Sequence, residues 1–230
     1  MDGDRAPLHE LVELKKRFGA LLILDEAHAV GVIGAHGGGL TAAENADADV
    51  DVQMGTLSKA LGASGGYICG SRTLIEWLIN RARSFIYSTA PPPAVAAAAL
   101  AAVDFLSSAE GEERRLLLWD RIILMRELFG QLDVGRWTLG VGRLNVANQR
   151  STLNAQRSSG SGSAIFPWIV GGEQAALSLA AGLQDDGFLV PAIRYPTVAK
   201  GAARLRIAVT AAHEEDQIRA LCQAIGRHSL

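Results

Sequence analysis

Residues 20–28 read ALLILDEAH, an apolar run that ends abruptly at two acidic residues. The run does not alternate with polar residues, which is typical of a strand covered on both faces in a parallel sheet. We therefore expect a strand over residues 20–24 with Asp25 at its carboxyl end. Open α/β sheets place their ligand-contacting groups at this end of the strands. Asp25 is accordingly the first candidate site residue.

Strands and helices alternate on both sides of this run, which predicts an α/β layer structure. A helix precedes it and ends at Gly19. Ser71 and three prolines mark the starts of two later helices that end near residues 81 and 106. Further strands are predicted at residues 50–55 and 67–70 and at FIYS, residues 85–88.

The second half of the chain predicts a smaller α+β domain. A long amphipathic helix over residues 110–129 precedes the strands AIFPWIV, FLVPAI and RLRIAV, a helix over 173–185 and a terminal helix. We expect residues 1–107 to belong to a large domain with a mostly parallel sheet and helices on both faces, and residues 108–230 to form the small domain. The polar residues 145–163 predict a flexible loop.

Composition excludes several classes of function. The formal net charge is -2 without runs of one sign, so nothing indicates nucleic acid or an anionic membrane as a partner. The longest apolar run, residues 94–103, is too short for a membrane span, and the charged N-terminus does not resemble a secretion signal. We expect a cytoplasmic protein in which Cys69 and Cys222 are buried free thiols.

Lys59 stands out among the four lysines of the chain. It lies between a predicted strand and a glycine-rich turn, and its neighbours are Leu57, Ala60 and Leu61. Apolar neighbours are expected to desolvate the amine, which favours the neutral form that condenses with an aldehyde. Lys59 is therefore a candidate nucleophile, and a solvated surface lysine is the alternative.

Asp25 and His28 share the sequence DEAH, in which an acid and an imidazole can converge on one bound ring. A turn cap and a buried structural histidine are the alternatives for these two residues. Helicases also contain the letters DEAH, but they need a GxxxxGK[ST] phosphate loop, and this chain has no Gly-Lys pair. A metal site from Asp25, His28 and His36 lacks a diagnostic ligand spacing, so we expect no metal.

Four strings in order resemble the α-oxoamine synthase family of fold-type I pyridoxal-phosphate enzymes. They are LDEAHAVGVIGAHGGG (24–39), GTLSKALGASGGY (55–67), FIYSTAPPPA (85–94) and AIRYPTVAKGAARLRIAVTAAH (192–213). The resemblance covers nearly the whole chain and is interrupted mainly at residues 145–163. It implies pyridoxal 5'-phosphate as the cofactor and the fold-type I transferase fold.

By this resemblance Lys59 forms the internal aldimine with the cofactor. Asp25 pairs with the pyridinium nitrogen and keeps it protonated, so that the ring can act as an electron sink. His28 donates a hydrogen bond to the phenolic oxygen of the ring. Asp25, His28 and Lys59 are thus the expected catalytic residues.

The resemblance also implies roles for three residues outside that group. Thr56 corresponds to a hydroxyl that contacts the cofactor phosphate, and Thr89 to a residue that reaches the phosphate in the neighbouring subunit. Arg206 corresponds to the residue that binds the substrate carboxylate, a task suited to a planar two-pronged donor. The role of Thr89 implies a homodimer with shared active sites.

The implied reaction is a decarboxylating condensation of L-alanine with a pimeloyl thioester of coenzyme A or acyl carrier protein, a step of biotin synthesis. The alternatives are another α-oxoamine synthase, such as a glycine C-acetyltransferase, and an inactive truncated paralogue that acts only as a subunit partner. The family's glycine-rich phosphate loop and ring-stacking histidine precede the residues matched here. We therefore expect this chain alone to bind the cofactor weakly and to fold with low stability.

Overall fold

A computed structural model of the chain describes residues 2–132 and 162–228. The polar segment 145–163 lies outside these residues except for its last two. The chain divides into two compact units, one of residues Ala6–Arg115 and one of Met1–Arg5 with Leu116–Leu230. The assignment of residues 1–107 and 108–230 to two domains stays a prediction, and each unit is described separately.

The Ala6–Arg115 unit combines helices with a small sheet. Its helices are α1 (Leu8–Phe18), α2 (Leu40–Glu44), α3 (Arg72–Arg81), α4 (Arg83–Ile86), α5 (Pro93–Leu106) and the start of α6 (Ala109–Leu132), and its strands are β1 (Ile23–Asp25), β2 (Val52–Thr56) and β3 (Gly66–Gly70). Two 3-10 turns, Ala35–Gly37 and Asp47–Asp49, flank α2. The alternation of strands and helices confirms the predicted α/β class.

The three strands form a mixed sheet in the order β1-β2-β3. β1 and β2 are parallel, with Asp25 opposite Met54. β2 and β3 are antiparallel, with Thr56 opposite Gly66. Among the described residues the sheet is therefore half parallel and half antiparallel, whereas the sequence predicted a mostly parallel one.

Local signals account for three of the helix ends. Gly19 adopts a left-handed conformation, with φ 60°, and its amide N–H closes α1 on the carbonyl of Lys15. Ser71 caps α3 by accepting a hydrogen bond from the amide of Leu74. α5 begins at Pro93, where the missing N–H costs nothing. These helices confirm the sequence prediction.

Two strand predictions are wrong. FIYS lies in α4 and the turn after it, because the carbonyl of Ala82 accepts hydrogen bonds from the amides of Phe85 and Ile86 and so starts a helical turn. Apolar segments this short do not distinguish strand from helix. The strand predicted at residues 20–24 is Ile23–Asp25, and only one of its faces is buried: Leu24 is buried but Ile23 is 66% exposed.

A small apolar core holds α1 and α2 against the sheet. It is made of Leu8, Val12, Leu24, Leu40, Ala46 and Val50. α3, α4 and α5 contribute no buried residue. The apolar side chains of these three helices are therefore half-buried or exposed in the described chain.

The second unit has an antiparallel sheet covered by two helices. It contains most of α6, β4 (Ile165–Gly171), α7 (Glu173–Asp185), β5 (Ala192–Ile193), β6 (Ala203–Ala208) and α8 (Glu215–His228). The strand order is β4-β6-β5. This confirms the predicted α+β unit, although only Ala192 and Ile193 of the predicted strand FLVPAI pair with β6.

Aromatic packing and N-terminal contacts stabilise this unit. Phe129 of α6 contacts Phe166 and Trp168 of β4 edge to face, with ring centroids 5.7 and 5.5 Å apart. Asp2 forms an ion pair with buried Arg204 of β6. The first residues of the chain therefore fold with its second half, which the sequence did not indicate.

The two cysteines differ in environment. Both are free thiols, as predicted. Cys222 is buried beside Met125, and burial raises the pKa of its thiol to about 11. Cys69 is exposed on β3, so the prediction of burial is wrong for it, because the described residues leave this strand uncovered.

No single helix in the described ranges meets the length and apolarity requirements of a membrane span. α5 and α6 meet them only when taken together, and the two helices are bent by 76° at their junction.

Candidate active site

Two candidate residues, Asp25 and Thr56, lie at the carboxyl ends of the two parallel strands. Asp25 ends β1 opposite Met54, and Thr56 ends β2 two residues further on. Strand spacing and rise place the Cα atoms of Asp25 and Thr56 about 8 Å apart. Side chains that are two residues apart share a face, so both residues lie on the same, more exposed face of the sheet. The topology therefore places Asp25 and Thr56 close together, and their roles in cofactor binding remain predictions.

Asp25 begins a tight turn that also holds His28. The Oδ1 atom of Asp25 accepts a hydrogen bond of 2.9 Å from the amide of Ala27. The carbonyl of Glu26 accepts hydrogen bonds from the amides of Ala29 and Val30 at 2.8 and 3.1 Å. Asp25 and His28 are both exposed, so each is accessible to a ligand.

The β2–β3 hairpin loop places hydroxyl groups beside this turn. The Thr56 hydroxyl lies 2.8 Å from the Ser58 hydroxyl and donates a 3.0 Å hydrogen bond to the carbonyl of Gly65. The amide of Leu57 donates to the same carbonyl, which closes the loop. The two hydroxyls form a compact polar group at the carboxyl edge of the sheet.

Lys59 lies in this hairpin loop, three residues after Thr56. The amide of Gly62 donates to the carbonyl of Lys59, which fixes the loop backbone around it. The lysine side chain is exposed. The predicted desolvation by Leu57, Ala60 and Leu61 is therefore not found among the described residues, because a surface hairpin turn leaves the amine in solvent.

The opposite face of the same strands carries a residue that the sequence reasoning missed. Tyr67 of β3 pairs with Gly55 of β2, and its ring fills the space that a side chain at Gly55 would need. A Cβ atom added at Gly55 would lie 2.2 Å from the Tyr67 Cζ atom. Burial raises the pKa of the Tyr67 hydroxyl, and nearby Cys69 and Glu26 act in the same direction.

Glu26 is a second residue that the sequence reasoning missed. It is only 4% exposed, although it lies between the exposed Asp25 and the turn that carries His28. Its carboxylate accepts hydrogen bonds from the amide and the hydroxyl of Thr41, at 2.9 and 3.2 Å. Because Thr41 is 15 residues away, no local sequence pattern indicates this contact.

Thr89 and Arg206 lie elsewhere in the chain. Thr89 is exposed in the segment between α4 and α5. Arg206 lies on β6 in the other unit, opposite Pro167, and its amide donates a 3.0 Å hydrogen bond to the carbonyl of Pro191. The roles predicted for these two residues remain predictions.

The assembled groups suit one kind of ligand. Lys59 supplies an amine that can form an imine, Asp25 a carboxylate that can accept a ring N–H, and Thr56 and Ser58 hydroxyls that can donate to a phosphate. The described ranges contain no group of three His, Cys, Asp or Glu residues that could hold a metal ion. The residues therefore fit a phosphorylated aldehyde with a protonatable ring nitrogen.

Comparisons with known proteins agree with this chemistry. The sequence profile of the aminotransferase class I and II family matches residues 1–225. The 8-amino-7-oxononanoate synthase of Anaeromyxobacter dehalogenans is 44% identical over 225 residues, which cover 98% of this chain and 51% of that protein. The chain thus spans about half the length of the curated relatives it matches.

Solved structures show the same similarity. A structure of SPT with a PLP internal aldimine superposes with a TM-score of 0.81 at 26% identity, over 98% of this chain and 51% of that one. The 8-amino-7-oxononanoate synthase of Francisella tularensis superposes with a TM-score of 0.72 at 27% identity, over 96% of this chain and 58% of that one. These neighbours confirm the fold class predicted from the resemblance.

Proposed function

The chain belongs to the aminotransferase class I and II family, and we propose that it is a pyridoxal-phosphate-dependent acyltransferase of the 8-amino-7-oxononanoate synthase type. Its reaction condenses L-alanine with a pimeloyl thioester of coenzyme A or acyl carrier protein, with loss of carbon dioxide, in biotin biosynthesis. The observation that carries the proposal is Lys59, an accessible amine in the hairpin turn beside Asp25 and Thr56.

Pyridoxal phosphate, when bound, supplies an aldehyde for an amine and a ring that withdraws electrons from the substrate Cα atom. Lys59 would hold the cofactor through its Nζ atom until alanine enters the site. Once released, the neutral Lys59 amine would take the proton from the substrate Cα atom and later return one. An exposed position on a hairpin turn leaves Lys59 free for both tasks.

Three residues at the sheet edge orient the bound ring. The Asp25 carboxylate accepts the ring N–H and keeps that nitrogen protonated. His28 donates to the phenolic oxygen, and the Thr56 hydroxyl donates to the phosphate. The three hydrogen bonds described for the Thr56 hydroxyl, with the Ser58 hydroxyl, the Ser58 amide and the Gly65 carbonyl, lie within its own hairpin. The hydroxyl can therefore turn to a phosphate without disturbing the sheet.

The remaining assignments depend on more than one unit or chain. Arg206 binds the alanine carboxylate through its guanidinium group, which matches a carboxylate with two parallel donors. Thr89 reaches the cofactor phosphate of a neighbouring subunit, so the active form is a homodimer. We also propose that the protein acts in the cytoplasm, as the sequence analysis expects.

Absorbance spectroscopy tests the proposal. The native chain titrated with pyridoxal phosphate should develop the visible band of an imine, and K59A should lose it. K200A is the matched control, because Lys200 follows a surface turn in the other unit and should leave the band unchanged. A band of equal strength in K59A would reject the proposal.

Another α-oxoamine synthase activity is the second candidate. A serine palmitoyltransferase structure superposes with a TM-score of 0.82, against 0.72 for the 8-amino-7-oxononanoate synthase structure, both at 27% identity. The curated relatives at 40–44% identity are 8-amino-7-oxononanoate synthases, so the first candidate is preferred. Assays with alanine, glycine and serine, each paired with short and long acyl thioesters, separate the two. Preference for alanine with a pimeloyl thioester supports the first candidate, and preference for serine or glycine supports the second.

A further inference from the structure

We propose that Glu26 is a positioning residue for the cofactor site, which holds the turn carrying Asp25 and His28 at the edge of the sheet. This inference rests on the function proposed above. Glu26 does not face the ligand side itself: it is 4% exposed, whereas Asp25 and His28 on either side of it are exposed. Its effect on the cofactor therefore passes through its neighbours.

The carboxylate of Glu26 joins the two ends of a long loop. It accepts both the amide and the hydroxyl of Thr41, which is itself 0% exposed. Residues 27–39, which precede α2, form a loop that is also closed by the hydrogen bond from the amide of Gly39 to the carbonyl of Ile33. A buried carboxylate with two donors has little freedom, so this junction is fixed.

Gly39 allows the junction to close. Its backbone has φ 99°, and a Cβ atom there would lie 2.7 Å from the Glu26 Oε1 atom. Glycine is the residue that satisfies both conditions at once. The chain therefore packs its backbone directly against the carboxylate of Glu26.

The backbone of Glu26 connects this fixed junction to the candidate active site. Its amide donates a 2.8 Å hydrogen bond to the carbonyl of Met54, which extends the pairing of β1 and β2 past Asp25. Its carbonyl accepts the amides of Ala29 and Val30, which shape the turn around His28. A fixed Glu26 therefore sets the positions of Asp25 and His28 against β2, where Thr56 lies.

Hydrogen exchange and cofactor titration on the full 230-residue chain test this role. E26A removes the carboxylate that accepts from Thr41, so the Thr41 amide should exchange about tenfold faster or more. The Ala27 amide, which donates to Asp25 in the same turn, should also exchange faster because the turn is no longer held. Its dissociation constant for pyridoxal phosphate should rise about tenfold or more, because small displacements of orienting groups are costly. E26Q can still accept from the Thr41 amide and should restore both quantities to within about threefold of the native values.

V12A is the matched control. Val12 is buried in the core of the same unit, so its truncation lowers stability without touching the Glu26 junction. V12A should speed exchange in α1 and leave the dissociation constant for pyridoxal phosphate unchanged. A change in cofactor affinity equal to that of E26A would show that stability alone is responsible and would overturn the positioning role.

The other outcomes are equally decisive. If amide exchange is faster in E26A but the dissociation constant for pyridoxal phosphate is unchanged, Glu26 only stabilises the local fold around Thr41 and does not position the cofactor site. If E26A binds pyridoxal phosphate more weakly without faster amide exchange, or if E26Q binds it as weakly as E26A does, the negative charge of Glu26 is responsible and the positioning role is overturned. If the native chain shows no Lys59-dependent absorbance band with pyridoxal phosphate, both the proposed function and the positioning role of Glu26 are overturned. If E26A binds pyridoxal phosphate as tightly as the native chain does, only the positioning role of Glu26 is overturned.

Discussion

Gly55 and Tyr67 face each other across β2 and β3, on the side of the sheet away from Asp25. The ring of Tyr67 occupies the place of a side chain at Gly55, with its Cζ and Oη atoms 2.2 and 2.3 Å from an added Cβ. The hairpin that carries Lys59 begins directly after this pair. Its geometry therefore depends on the smallest side chain being present at one position.

Substitution of Gly55 tests this dependence. G55A forces the Tyr67 ring or the strand to move, which should cost about 1–3 kcal/mol of unfolding free energy, as overpacking does. Denaturant unfolding measures the change. The loss of unfolding free energy caused by G55A should be smaller when Tyr67 is also replaced by alanine. G130A is the control and should not be destabilising, because nothing lies within 4 Å of a Cβ atom added at Gly130. An equal cost of G55A with and without Tyr67 would contradict the steric explanation.

The sequence predicts these site residues unequally, for physical reasons. Asp25 was found because it ends an apolar strand, where open α/β sheets place ligand-contacting groups, whereas Thr56 was found only through the family resemblance. Tyr67 was inside a recognised string, but only the strand register shows that it covers Gly55. Glu26 needed the fold itself, because its partner Thr41 is distant in sequence.

At the scale of elements, Asp51 ties α1 to the strands of the site. Its Oδ2 atom accepts a 2.8 Å hydrogen bond from the amide of Leu22 and lies 2.8 Å from Lys15 Nζ in α1. The Leu22 hydrogen bond, followed by the one from Lys15, lowers the pKa of the Asp51 carboxyl. Leu22 directly precedes β1, so this carboxylate fixes where the strand starts.

The lowered pKa predicts a pH dependence of stability. A carboxyl whose folded pKa lies below its unfolded one stabilises the fold above the unfolded pKa, and the stabilisation is lost as the pH falls through the folded pKa. D51N should therefore flatten the loss of stability below about pH 4, the unfolded pKa of aspartate, and cost less than about 1 kcal/mol at neutral pH. Denaturant unfolding from pH 3 to 7 measures this.

K15M separates the two causes in that experiment. It removes the ammonium group but keeps the Leu22 amide, so the acid dependence should shrink only in part. An acid dependence identical in D51N and the native chain would show that Asp51 is not responsible.

Elements with strong end signals were predicted well. α3 and α5 begin at Ser71 and Pro93, and α7 spans residues 173–185 as expected. FIYS and the start of β1 were predicted wrongly because short apolar runs carry no periodicity. Whether such a run pairs as a strand depends on neighbours that the local sequence does not contain.

At the scale of the whole molecule, the first half of the chain leaves much apolar surface exposed. Large exposed side chains lie on the open face of the sheet and on α3, α4 and α5, namely Leu21, Ile23, Ile68, Trp77, Ile79, Phe85, Ile86, Tyr87, Leu100, Val103 and Phe105. Apolar patches of this extent are typical of surfaces that contact other polypeptide. The sequence predicted that the strand at residues 20–24 is covered on both faces. The periodicity of a strand shows that its faces are apolar, but it does not show which polypeptide segment covers them.

The imine at Lys59 is the central claim, and reductive trapping tests it most directly. The chain is incubated with pyridoxal phosphate and reduced with borohydride, and the labelled peptide is identified by mass spectrometry. Because reduction makes the bond permanent, it also detects weak binding. Lys15, Lys16 and Lys200 serve as internal controls. Lys15 forms an ion pair with Asp51, and Lys16 forms one with Asp49. We predict that Lys59 carries the label in clear excess; equal labelling of all four lysines, or a label on another lysine, would contradict the account.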